Sequence, residues 1–127
     1  MKQKLTIAFD KEIKTKIDAF VIPLPIYRCN IKILDKKNTL KLNKLWNQNI
    51  VDYDMSARND LNKSSKDILI KIIKYSKSSL IHELYHCVDF IFEHIGEDDK
   101  PYSCKEARAY LMGYLFEEVM KIEKYLK

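Results

Sequence analysis

Flexible and disruptive residues are scarce in this chain. Among 127 residues there are two glycines, Gly96 and Gly113, and three prolines, Pro23, Pro25 and Pro101. That leaves little room for long flexible loops or for a linker between domains, and the length suits a single domain over residues 1–127. Three cysteines, Cys29, Cys87 and Cys104, are an odd number without framework spacing, which argues against a disulfide scaffold and for free thiols in a reducing compartment. No apolar run approaches the roughly 20 residues of a membrane helix. Leu5 to Phe9 is too short for the apolar core of a signal peptide. The expected location is the cytoplasm, or the inside of a host cell if the gene is foreign to it.

Hydrophobic residues make up 46% of the chain, enough for a packed core. Charge is unevenly placed. Residues 1–77 hold 17 Lys and Arg against 8 Asp and Glu, whereas residues 78–127 hold 6 against 10. The basic lysines are scattered rather than clustered, which argues against a nucleic-acid surface. The acidic half suits a cation site.

The pattern predicts strands first and helices second. Lys4 to Phe9 reads as a short strand. Asp10 then opens either a helix, with Ile13, Ile17 and Phe20 at helical spacing, or the second arm of a hairpin. Pro23 and Pro25 force extended chain and argue against a central strand position. Tyr27 to Leu34 alternates as a strand. Asn38 is placed to cap a short helix, Thr39 to Trp46, with Leu42, Leu45 and Trp46 facing inward. Ile50 to Met55 is a second strand candidate, and Ser56 to Lys66 reads as polar loop. Ile68 to Ile73 is an almost unbroken apolar run, as in a strand covered on both faces.

Ser76, Ser78 and Ser79 offer caps for a helix from about Ser78 to Ile95, with Gly96 placed to end it. After an acidic turn at Gly96–Pro101, a last helix is expected from Ser103 to about Tyr125. Its apolar stripe is Ala107, Tyr110, Leu111, Tyr114, Leu115 and Ile122. The two long helices should pack as an antiparallel pair. The fold class is therefore a small α+β domain.

The chemistry lies in the first of those helices. His82-Glu83-Leu84-Tyr85-His86 is an H-E-x-x-H sequence. Residues four apart on a helix share one face, so both imidazoles can reach one ion, with Glu83 beside them to take a proton from water. The neighbours Leu84, Tyr85, Cys87, Val88, Phe90 and Ile91 predict a buried helix, on which two imidazoles and a carboxylate need partners. One Zn2+ per chain would supply them; core histidines bonded to backbone or carboxylate are the alternative.

A zinc site needs a third protein ligand. His94 lies roughly 12 Å beyond His86 along a helix axis, too far, and Glu93 fails for the same reason. Glu106, twenty positions after His86, would return on the last helix. It is also the Glu of a capping box, Ser103-Cys104-Lys105-Glu106, which gives it a purely structural alternative. Cys104 is a further ligand candidate. Asp89 shares the His82–His86 stripe and either orients His86 or is a solvated charge. Arg108, Tyr110 and Tyr114 are either oxyanion-steadying or packing residues.

His82-Glu83-x-x-His86 followed after 19 residues by Glu106 resembles the gluzincin branch of the zincin metallopeptidases. The segment Glu106-Ala107-Arg108-Ala109-Tyr110-Leu111 is similar to small phage-borne zincin-like proteins and, more distantly, to the repressor-cleaving ImmA/IrrE group. The likeness covers roughly Ile68 to Val119. It implies a zinc-dependent peptidase acting on a protein or peptide, with His82, His86 and Glu106 as ligands and Glu83 as general base. It also implies that the strand near Ile68–Ile73 borders the cleft and pairs with extended peptide. Where thermolysin-like gluzincins carry an Asp, four residues after the ligand Glu, this chain has Tyr110, so Tyr110 or Asp89 must serve around the ligands instead. The alternative function is a non-catalytic zinc-binding protein of the same fold that binds a host or phage protein.

Overall fold

The hairpin, not the helix, follows Asp10. In a computed structural model that describes residues 2–8, 14–46, 54–59, 67–94 and 105–127, β1 (Lys2–Ala8) pairs antiparallel with β2 (Lys14–Leu24). The helical spacing of Ile17 and Phe20 is incidental: as strand residues an odd number apart they face opposite sides of the sheet, and each is buried there. A 3-10 turn at Pro25–Tyr27 leads into β3 (Cys29–Leu34). After α1 (Lys36–Trp46) come β4 (Met55–Asn59) and β5 (Ile68–Ile72). The chain ends with α2 (Lys77–His94), α3 (Lys105–Met120) and the short α4 (Glu123–Leu126).

The five strands form one mixed sheet in the order β1-β2-β3-β5-β4. Only β3 and β5 run parallel, and a parallel pair needs a crossover. Part of that crossover is α1, whose Leu42 covers one sheet face over Ile17, Ala19, Leu34 and Leu69. The other face carries the larger core, with Ile31, Ile33, Ile68, Ile70 and Ile72 under Leu80, Leu84, Cys87 and Ile91 of α2 and Leu111, Leu115 and Val119 of α3. Every residue of β5 is buried, as expected for a strand covered on both faces. The architecture is α+β.

Pro23 sits inside β2, opposite Asn30 of β3. The sequence argued against a central strand there; the pairing shows why one is tolerated. The Asn30 N–H points away from β2 and donates to the Asp67 carboxylate at 2.8 Å. Pro23 and Asn30 are thus a pair without mutual hydrogen bonds, and the proline nitrogen faces the β1 side. There β1 has already ended, with Lys2 opposite Phe20. No ladder bond is lost among the described strands.

Two helix starts are set by side chains. Asp35, not Asn38, caps α1: its Oδ1 accepts from the Asn38 N–H at 2.9 Å, and Asn38 lies inside the helix. Ser76 caps α2, its Oγ accepting from the Ser79 N–H at 3.2 Å. The expected antiparallel helix pair is fixed at both ends. The Tyr75 hydroxyl, just before α2, donates to Glu123 at the start of α4, while Asp89 in the later half of α2 holds Arg108 in the first turn of α3. Low residue numbers before α2 therefore meet high ones after α3, and the reverse.

Three expectations are corrected. The polar stretch from Ser56 to Asn59 is strand, the rest of β4, not loop. The buried stripe of α3 is Leu111, Leu115 and Val119; Ala107, Tyr110 and Tyr114 are exposed. A bend at Lys121–Ile122 separates α3 from α4 where one continuous helix was expected. The expected roles of Gly96, the Gly96–Pro101 turn, Ser103 and Cys104, and the side chains of Leu45 and Trp46, lie outside the described residues.

Candidate metal and peptide site

The core face of α2 is taken by Leu80, Leu84, Cys87, Val88 and Ile91, at spacings of three and four. His82 and His86 lie off that face and Glu83 at its margin. The helix is buried along one side only, which corrects the expectation that both imidazoles are interior. The His82 side chain is 68% exposed, His86 is half-buried and Glu83 is buried.

The two rings meet edge to face, with centroids 4.6 Å apart, and their Nε2 atoms approach to 3.1 Å. Two unprotonated ring nitrogens at that distance present lone pairs to each other. The contact is favourable only with a proton or a metal cation between them. Two nitrogens bound tetrahedrally to one zinc stand about 3.3 Å apart, so the pair has the bite of a chelate. Phe90 flanks it, its ring 6.4 Å from that of His86.

Glu83 is held in place by the sheet. Its Oε2 accepts the backbone N–H of Ala57 in β4 at 2.7 Å, and its Oε1 lies 4.0 Å from His82 Nε2. Between α2 and β4 runs an open groove of about 300 Å³, lined by Met55, Ser56, Ala57, His82, Glu83, His86 and Phe90. The strand at the site is therefore β4. The expectation that Ile68–Ile73 borders the cleft and pairs with peptide is corrected by topology: β5 is bonded on both sides, to β3 and β4, and has no free edge. The sequence reading missed β4 because Met-Ser-Ala-Arg-Asn has little β propensity. Its one legible signal was Met55 and Ala57 alternating with Ser56 and Arg58.

The outward polarity of β4 follows from its pairing. Asp54 C=O accepts from the Ile73 N–H at 2.8 Å, so Asp54 points toward β5. Alternation then directs Ser56 and Arg58 toward β5 and the backbone groups of Met55, Ala57 and Asn59 away from it. The bond from Ala57 to Glu83 agrees with this direction.

The remaining candidates are not gathered at the His pair. Glu106 is exposed in the first turn of α3. It lies nine residues before the buried Leu115, two and a half turns away and thus on the opposite side of the helix. The Asp89–Arg108 contact sets the helix register so that Glu106 falls about 7 Å beyond the level of His86. Among the described residues, no three His, Cys, Asp or Glu side chains converge as a metal-holding group. The donor set thus fits zinc through two ligands. Asp89 bonds Arg108 Nη1 at 2.7 Å, and the guanidinium also lies 4.9 Å over the Phe92 ring. Both residues tie α2 to α3. Tyr110 is 76% exposed on the outer side of α3. Burial, with a smaller contribution from the charge of Glu83, pushes the Cys87 thiol far above its ordinary range, as befits a core residue.

No family model, curated protein or solved structure matches the chain. No helix among the described residues is long and apolar enough to cross a membrane.

Proposed function

We propose that the groove between α2 and β4 is a zinc-dependent peptidase site acting on an extended peptide, in the manner of a small gluzincin-like protein of the cytoplasm. The observation that carries this reading is the convergence of the His82 and His86 Nε2 atoms at 3.1 Å beside a carboxylate anchored to the outer side of β4. His82 and His86 would hold the ion; Glu106 becomes the proposed third ligand if metal binding turns the first turn of α3 inward from the outer position described above. Zinc, when bound there, supplies a Lewis acid that polarises a carbonyl and acidifies water. Glu83 takes the proton of the attacking water and returns it to the leaving amine. The outward N–H and C=O groups of Met55, Ala57 and Asn59 align the peptide as an added strand. Met55, Ala57 and Phe90 offer an apolar wall to one of its side chains.

Elemental analysis of metal-replete protein tests the metal. Wild type should carry one zinc per chain, His86→Ala none, and Glu106→Ala less than wild type. A metal-free wild type would end the reading, whereas full retention by Glu106→Ala would remove only the third ligand. Glu83→Gln should keep zinc and lose at least about 100-fold in turnover of a cleaved peptide, measured by mass spectrometry.

A second reading has its own support. Only two ligands are gathered among the described residues and the groove is shallow, which suits a non-catalytic zinc-binding protein that docks a host or phage protein. Stoichiometric zinc with no cleavage of any peptide in a random library favours it.

A further inference from the structure

Glu83 occupies a hydrogen-bonding position that an added strand requires. Ala57 is the middle of the three β4 residues whose backbone groups face away from β5, and its N–H is already taken by Glu83 Oε2 at 2.7 Å. An amide has one hydrogen, so a peptide carbonyl and the Glu83 carboxylate exclude each other there. A charge-assisted bond of this length is among the stronger ones available to an edge amide. Native sheets protect open edges from unwanted pairing, and here the guard is a side chain that also faces the His pair.

We infer that Glu83 is a latch on the edge of β4 that no described strand covers: it closes the edge when no peptide is present, and an incoming extended peptide releases it by taking the Ala57 N–H for itself. Release turns both carboxylate oxygens over to the groove. Docking and readiness of the proposed base thus become one event, and water at the His pair meets a free carboxylate only when a peptide lies alongside. The latch deepens the peptidase reading and rests on it for the identity of the occupant, an extended peptide backbone. The exclusion at Ala57 itself needs neither metal nor turnover.

The test uses the full chain without metal. Amide hydrogen exchange resolved by residue should show Ala57 protected in the free wild type, although its N–H faces away from the sheet. The outward amide of Asn59 should exchange fast. Glu83→Ala should speed exchange at Ala57 by about tenfold or more, consistent with loss of one charge-assisted bond. Glu83→Gln, which keeps the packing, should show the same change at smaller amplitude. A neutral capped peptide, acetyl-Thr-Val-Gln-Val-Thr-amide, should bind Glu83→Ala about five- to tenfold more tightly than wild type and restore protection at Ala57. Ala57→Pro removes the contested hydrogen without cost to the β5 ladder and should abolish that gain in the Glu83→Ala background. Equal exchange at Ala57 in wild type and Glu83→Ala, or equal peptide affinity for the two, including no measurable binding to either, overturns the latch. A chain that shows the latch yet binds no zinc would refute the peptidase reading and leave this inference standing.

Discussion

Thr39 shows how much a single hydroxyl can settle. β3 ends at Leu34, opposite Lys71, which in a parallel pair brings the Ile72 N–H of β5 to the Leu34 C=O. The fully buried Thr39 joins both groups: its Oγ1 accepts from the Ile72 N–H at 3.0 Å and donates to the Leu34 C=O at 3.2 Å. Thr39→Val keeps the shape and removes one hydrogen bond from each of these buried backbone groups. It should lower stability by about 1–3 kcal/mol, read from the midpoint and slope of urea unfolding, whereas Thr39→Ser should lose less. Nothing in Asn-Thr-Leu announced this role, because it depends on where the parallel ladder with a strand 33 residues away comes to its end. The H-E-x-x-H residues were legible for the opposite reason: a spacing of four fixes their common face whatever surrounds the helix. Glu106 marks the limit of that logic. A separation of twenty residues says that α3 returns but does not set its rotation, and rotation puts Glu106 on the outer side.

Among the elements, the parallel β3–β5 pair is the one most dependent on polar fastening. At its start Asp67 accepts from the Asn30 N–H and sits 3.1 Å from Lys32 Nζ. Burial pushes the Asp67 carboxyl upward, but the Asn30 N–H and the Lys32 ammonium together outweigh it and hold the group below its ordinary range. A folded-state pKa below the unfolded one means stabilisation that is full above about pH 4 and fades as the pH falls through the folded value. Asp67→Asn should therefore flatten the acid limb of the stability profile while leaving its shape above pH 5 unchanged, as read from urea midpoints across pH. The link between α2 and α3 is weaker in kind. Asp89 and Arg108 are partly solvated, with side chains 42% and 25% exposed, so Asp89→Ala should cost no more than about 1 kcal/mol. If Asp89 oriented His86 instead, that variant would weaken zinc binding about tenfold or more, a separate reading in the same protein.

For the whole molecule, the strand–helix order and the inner strand β5 could be read from hydrophobic patterning, because cores reward it directly. The edge strand could not. β4 has one sheet neighbour among the described strands and a largely polar composition, and its place is set by β5, by Glu83 and by the buried Met55 rather than by a hydrophobic pattern of its own. Leu84, fully buried between the His pair's helix and the sheet, joins the two kinds of information. Leu84→Ala should cost about 2–5 kcal/mol in urea unfolding. It should also weaken zinc binding by the His pair, since it loosens the helix that carries both ligands.

The placement of β4 has a consequence for the order in which the protein is made. Met55–Asn59 leaves the ribosome before β5, its partner among the described strands, and well before Glu83. At about 5–20 residues per second, that interval lasts on the order of a second or more. During it both sides of the segment are open, and the charge of Arg58 is its own guard against pairing with other strands. The groove is thus among the last parts of the molecule to come into being, and a growing chain has neither the edge nor its latch until α2 has been synthesised.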